Sequence, residues 1–132
     1  MSGTIAGPQI EQSVPAQISD LVVQHVHACT GRGPTKVWTS VDRDLVSVVL
    51  SDMLSKGEHS LITDGRAQLV LEMRQAFQQT MRDDLIIGVE RVTGRTVIAF
   101  MSANHLEPDI AIESFVLEPR NESTNGDGGA SP

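Results

Sequence analysis

Apolar and polar positions along the chain change period several times, and each change marks a new element. Ile18, Leu21, Val22, His25, Val26 and Cys29 fall on i, i+3, i+4, i+7 spacing, with Asp20, Gln24 and His27 turned away, which predicts an amphipathic helix. Its start is expected near Pro15, capped by Ser13 or Ser19, because proline is tolerated only in the first turn. Gly31 stands where a C-terminal cap glycine belongs. The period then drops to two: Val37, Thr39 and Val41 alternate with Lys36, Trp38 and Ser40, the signature of a strand. Asp42-Arg43-Asp44 interrupts it. Leu45 to Leu50 resumes as a nearly continuous apolar run, the expected buried partner of a hairpin.

Ser55-Lys56-Gly57-Glu58 has the capping-box form and opens a short helix through Leu61 and Ile62. Thr63-Asp64-Gly65 can start another, with Leu69, Val70, Met73, Ala76, Phe77 and Met81 inward and Gln68, Glu72, Gln75 and Gln79 outward. The stripe runs on through Leu85, Ile86, Val89 and Val92, yet Thr80, Asp83 and Asp84 have the composition of a new helix start. Residues 64–93 therefore accommodate one helix or two with a break near residue 82. Gly94 ends the segment. Thr96 to Met101 predicts a third strand, Glu107-Pro108-Asp109 a turn, and Ile110 to Leu117 a fourth strand with an irregularity around Ser114. The order α-β-β-α-α-β-β predicts an α+β domain, a mainly antiparallel four-stranded sheet with helices on one face. It leaves the order of strands in the sheet open. Residues 13–118 form the expected domain, after a flexible lead over 1–12 and before a disordered tail over 119–132 rich in Gly, Ser and Asn.

Composition narrows the chemistry. A length of 132 residues gives room for one core, and seventeen acidic against ten basic residues set a net charge of -7. That field repels nucleic acid and anionic lipid. Aromatics are 3% of the chain, too few for base-stacking platforms. The single cysteine, Cys29, allows no internal disulfide, and its place on the first helix's apolar stripe reads as an inert core thiol. The opening residues have no secretory pattern and no apolar run reaches the roughly 18 residues a bilayer span needs, so a cytoplasmic setting without direct membrane insertion is expected. Asn121-Glu122-Ser123 matches a glycosylation sequon that has no meaning in that setting.

Candidate binding residues are few, and each has a plain structural reading. Gly31-Arg32-Gly33-Pro34 with Lys36 can cradle an anion through backbone amides and two cations, although a helix cap followed by a strand entry explains the same residues. It is not a P-loop, lacking the Gly-Lys-Ser/Thr ending. Arg66 and Arg74 can hold a carboxylate or phosphate, or pair with Asp64, Glu72 or Asp83 on a solvated helix face. Ser55 and Glu58 are explained as a structural cap. Trp38, the sole tryptophan, is a candidate contact residue. His25 and His27 point about 200° apart on a helix and cannot share a metal ion; no metal site, cofactor or catalytic set is expected.

Several motifs carry a resemblance when taken together. Gly31-Arg32-Gly33-Pro34 closes a helix, and Lys36-Val37 with Asp44-Leu45-Val46-Ser47-Val48-Val49-Leu50 makes a valine-rich hairpin. Leu54-Ser55-Lys56-Gly57-Glu58, Gly65-Arg66, Arg74 and Thr93-Gly94-Arg95-Thr96-Val97 follow in order. From Ile18 to Glu118 this pattern resembles the MpsC family of small bacterial domains, named after a component of a sodium-translocating, membrane-potential-generating system. Arg32 replaces the family's usual lysine, and Ser102-Ala103-Asn104 stands where many members have an acidic residue. The resemblance implies a non-catalytic accessory or regulatory partner of a membrane ion-transport complex, peripheral to the inner membrane face through that partner, or a homodimer. The competing reading is an anion-binding regulator that uses Arg32, Lys36, Arg66 and Arg74.

Overall fold

The computed structural model describes residues 12–120. Most of the expected lead and tail, with the Asn121 sequon, lies outside the described residues. The elements are α1 (Val14–Thr30), β1 (Lys36–Asp42), β2 (Leu45–Ser51), α2 (Lys56–Thr63), α3 (Ala67–Thr93), β3 (Val97–His105) and β4 (Ile110–Leu117). They form the expected α+β arrangement, an antiparallel sheet in the order β1-β2-β4-β3 with the helices on one face.

Local chemistry sets the boundaries. Ser13 is the cap of α1, its hydroxyl accepting from the Ala16 amide at 3.2 Å, while Ser19 bonds Thr39 of β1 at 2.7 Å. Gly31 ends α1 at φ 83 and Gly94 ends α3 at φ 70, left-handed conformations in which a Cβ is strained. The capping box before α2 is complete: Ser55 Oγ accepts from Glu58 N at 3.1 Å and Glu58 Oε1 from Ser55 N at 2.7 Å. Arg43, at φ 58, turns β1 into β2.

One open alternative is settled and three expectations change in detail. α3 is one unbroken helix of 27 residues, because Thr80 donates to the Ala76 carbonyl in the preceding turn rather than capping a new start, while Met81 and Leu85 continue the buried stripe. Its inward face also differs: Leu69 and Ala76 are exposed, and Arg74 and Gln78 are buried. β3 runs on to His105 because the polar side chains of Ser102 and Asn104 find partners beneath the sheet. The register irregularity lies between Val97 and Ala99 on β3, not around Ser114 on β4.

Pairing sorts the sheet into rows. Val41-Val46-Phe115-Phe100, Thr39-Val48-Glu113-Ser102 and Val37-Leu50-Ala111-Asn104 run across the helix side. Ile18 and Val22 of α1 and Leu85 and Val89 of α3 complete a core with the buried members of these rows. Gly88 lets α1 and α3 approach: a Cβ there would lie 2.5 Å from Leu21 Cδ2. Gly88→Val is expected to destabilise by about 1–3 kcal/mol through overpacking, read as a lower midpoint in urea; an unchanged midpoint would mean the helix crossing has slack.

Candidate functional site

α3 carries its polar residues inward one turn apart. Arg74 and Gln78 follow Val70 at i+4 and i+8 and are as buried as the apolar residues around them. Arg74 meets Asp109, supplied by the turn before β4, in an ion pair in which both side chains are 7% exposed. Asp109 also accepts from the Leu54 amide at 2.7 Å, tying the β2–α2 connection to the same carboxylate. Arg74 Nη2 makes this contact; Nη1 is buried and has no hydrogen-bond partner among the described residues. An unpaired buried donor of this kind is costly and calls for an explanation.

One turn along, Gln78 bridges two strands. Its Nε2 donates to Asn104 Oδ1 at 2.9 Å and to Glu113 Oε2 at 3.2 Å, and its Oε1 accepts from Asn104 Nδ2 at 3.0 Å. Ser102 Oγ donates to the other Glu113 oxygen. Glu113 sits on the inner face of β4 and burial pushes its carboxyl up to about 7, against the opposing effect of the Ser102 and Gln78 hydrogen bonds and the Arg74 charge. The arrangement can therefore bind an acceptor group and exchange a proton near neutral pH.

Beside this cluster lies a cavity of about 100 Å³. Val26, Leu50, Met53, Phe77 and Met81 give it an apolar wall, and Arg32, Glu58, Arg74, Gln78 and Glu113, with the Thr30 and Ser55 hydroxyls, a polar one. Of the candidate cations in the sequence, only Arg32 and Arg74 line it. Arg32 donates to the Met53 and Leu54 carbonyls at 3.2 and 3.1 Å. Lys36 is exposed on β1, and Arg66 forms an exposed pair with Asp64 at 3.2 Å, worth little in water. Gly31 uses its amide on the His27 carbonyl at 2.8 Å, and Gly33 follows on the path into β1. Arg74, placed by sequence reasoning on a solvated face, is instead paired with a residue 35 positions away.

The opposite face of the sheet has no helix on it among the described residues. Its rows are Trp38-Val49-Ile112-Ala103, Ser40-Ser47-Ser114-Met101 and Asp42-Leu45-Val116-Ala99. Trp38 is 58% exposed, and Leu45, Met101 and Ile112 are also open. Formal charge is confined to its ends, at Lys36 and Asp42. Gln78, Ser102, Asn104, Asp109 and Glu113 were missed by motif reading. A signal was present: Glu113 falls on the inward period of Ala111, Phe115 and Leu117, and Arg74 and Gln78 fall on that of Val70 and Met81.

The family model described as "Na+-translocating membrane potential-generating system (MpsC)" matches residues 11–119, most of the chain. The chain belongs to the MpsC family. No curated protein and no solved structure matches it. Ser102 bonds Glu113 of the neighbouring strand and Asn104 bonds Gln78, so both side chains enter the cluster. No helix among the described residues is long and apolar enough to cross a membrane, and none of them form a group of three or more metal-ligating side chains.

Proposed function

We propose that this MpsC-family chain is a non-catalytic accessory or regulatory partner of the ion-transport system for which its family is described, docking on a protein of that system through the outer face of its sheet. The observation that carries this reading is the uncovered row headed by Trp38. A large aromatic more than half exposed, at the head of the apolar row Trp38-Val49-Ile112-Ala103, is the kind of residue that anchors an interface. The family description supplies the kind of partner. No described helix is long and apolar enough to cross a bilayer, and in this reading a protein surface is the means of reaching the membrane system, from its cytoplasmic side.

The test is co-purification of tagged protein from gently solubilised cells, beside Trp38→Ser. Trp38 supports no part of the core, so the variant should fold as the wild type does and recover at least about tenfold less of a membrane-transport protein, the weight of a tryptophan hot spot. Equal recovery by both proteins would place the contact elsewhere. A sedimentation shift to a dimer that Trp38→Ser abolishes would assign the face to a second copy and overturn the accessory reading.

A further inference from the structure

We propose that the cavity beside Arg74 is a binding site for a short aliphatic carboxylate, its head on the guanidinium groups of Arg74 and Arg32 and its chain among Val26, Met53, Phe77 and Met81. This goes beyond the docking role, which needs no ligand and uses the other face of the sheet.

The inventory of donors and acceptors fixes the polarity of the ligand. Each Glu113 oxygen already accepts, from Ser102 and from Gln78. The Gln78 amide is fully engaged with Asn104 and Glu113, and Glu58 is held by the Ser55 amide. At Arg74 donor capacity is left over: its Nη1 has no partner among the described residues, while Arg32, itself exposed, makes its hydrogen bonds there to carbonyl oxygens. The missing partner is therefore an acceptor, and beside two guanidinium groups a carboxylate has the matching fork geometry.

Charge points the same way. Asp109 balances Arg74, whereas the Glu58 carboxylate sits at the first turn of α2, where the helix dipole offsets it. Arg32 is the cation without an acidic partner in its bonds. Burial raises the Glu113 carboxyl toward neutrality, so it opposes an incoming anion with less than a full charge.

The apolar wall and the volume set the size. A dry cavity of about 150 Å³ holds a benzene ring, so about 100 Å³ suits a ligand of about four to six non-hydrogen atoms. Propionate and butyrate fit. Inorganic phosphate would leave the Val26, Met53, Phe77 and Met81 side unfilled.

Calorimetric titration with butyrate, propionate, n-butanol and inorganic phosphate tests the proposal on the full chain. Saturable binding of butyrate and propionate in the millimolar range or tighter is expected, with n-butanol and phosphate at least about tenfold weaker. Absence of saturable butyrate binding overturns the site. Equal binding of n-butanol overturns the carboxylate head, and equal binding of phosphate overturns the aliphatic tail. Two variants locate the ligand. Arg74→Met/Asp109→Asn removes both members of the ion pair while keeping an acceptor for the Leu54 amide, and Arg32→Gln changes only a side chain that bonds to backbone. Each should weaken butyrate by about tenfold or more with circular dichroism unchanged; unaltered affinity in both would place any binding outside this cavity. Trp38→Ser, in the same titration, should bind butyrate as the wild type does, so failure here and failure of the docking role are separate results.

Discussion

Asp109→Ala should lower stability by about 3–5 kcal/mol, enough to unfold a large fraction of a marginally stable domain. The substitution strands two groups at once. Arg74 loses the carboxylate it pairs with, with Nη1 already unpaired among the described residues, and the Leu54 amide loses the acceptor that holds the β2–α2 connection. Neither can turn to water, since Arg74 is buried and Leu54 is 5% exposed. The contrast with Arg74→Met/Asp109→Asn decides the mechanism. Removing both charges together leaves no ion without a partner, so the double variant should be markedly more stable than Asp109→Ala. Urea unfolding measures all three proteins; a loss below about 1 kcal/mol for Asp109→Ala would show that the pair is solvated and that the buried cluster is wrongly drawn.

The second large effect is a slope with pH. Glu113 titrates at about 7 in the folded chain against an ordinary 4.5, so the folded state binds its proton more tightly than the unfolded state does. The stability this adds is fully present below pH 4.5, falls as pH rises toward 7, and is gone above it. At 1.36 kcal/mol per pKa unit, the whole change is about 3 kcal/mol. Glu113→Gln keeps the volume and an acceptor but cannot ionise. Its unfolding free energy, subtracted from that of the wild type at each pH between 4 and 8, should vary by about 3 kcal/mol, with the wild type losing ground as pH rises. A difference that stays flat, or that grows in the opposite sense, would mean that Glu113 is ionised throughout.

Much of the fold was legible because it is written locally. Two-residue alternation places β1, an apolar run places the interior strand β2, and Ser55, Glu58, Gly31 and Gly94 announce their caps within a few positions of the elements they end or begin. The site was not legible in the same way. Arg74 was visible as an arginine, yet its partner stands 35 residues away, and so does the acid that Gln78 bonds. An apolar-stripe reading turns polar residues outward by construction, which is why it misses Arg74 and Gln78 on the otherwise expected inward face of α3 and ends β3 at Met101. Those residues are satisfied only by one another, a fact that no single segment contains.

The sheet has one further consequence, which concerns the order in which it assembles. β1 pairs with β2 and β3 with β4 across short turns, so each hairpin can close on local contacts. The seam between β2 and β4 is different: Ser51 opposite Ile110 closes a loop of about 60 residues, and that entropy must be met before the contacts reward it. Glu113 faces Val48 across this seam and Gln78 of α3 beneath it, so it is dehydrated only when the two hairpins have joined and α3 has docked. Its proton thus reports on the assembly of the sheet with α3. The kinetic limb that carries the pH dependence, folding or unfolding, states whether that assembly is complete at the barrier.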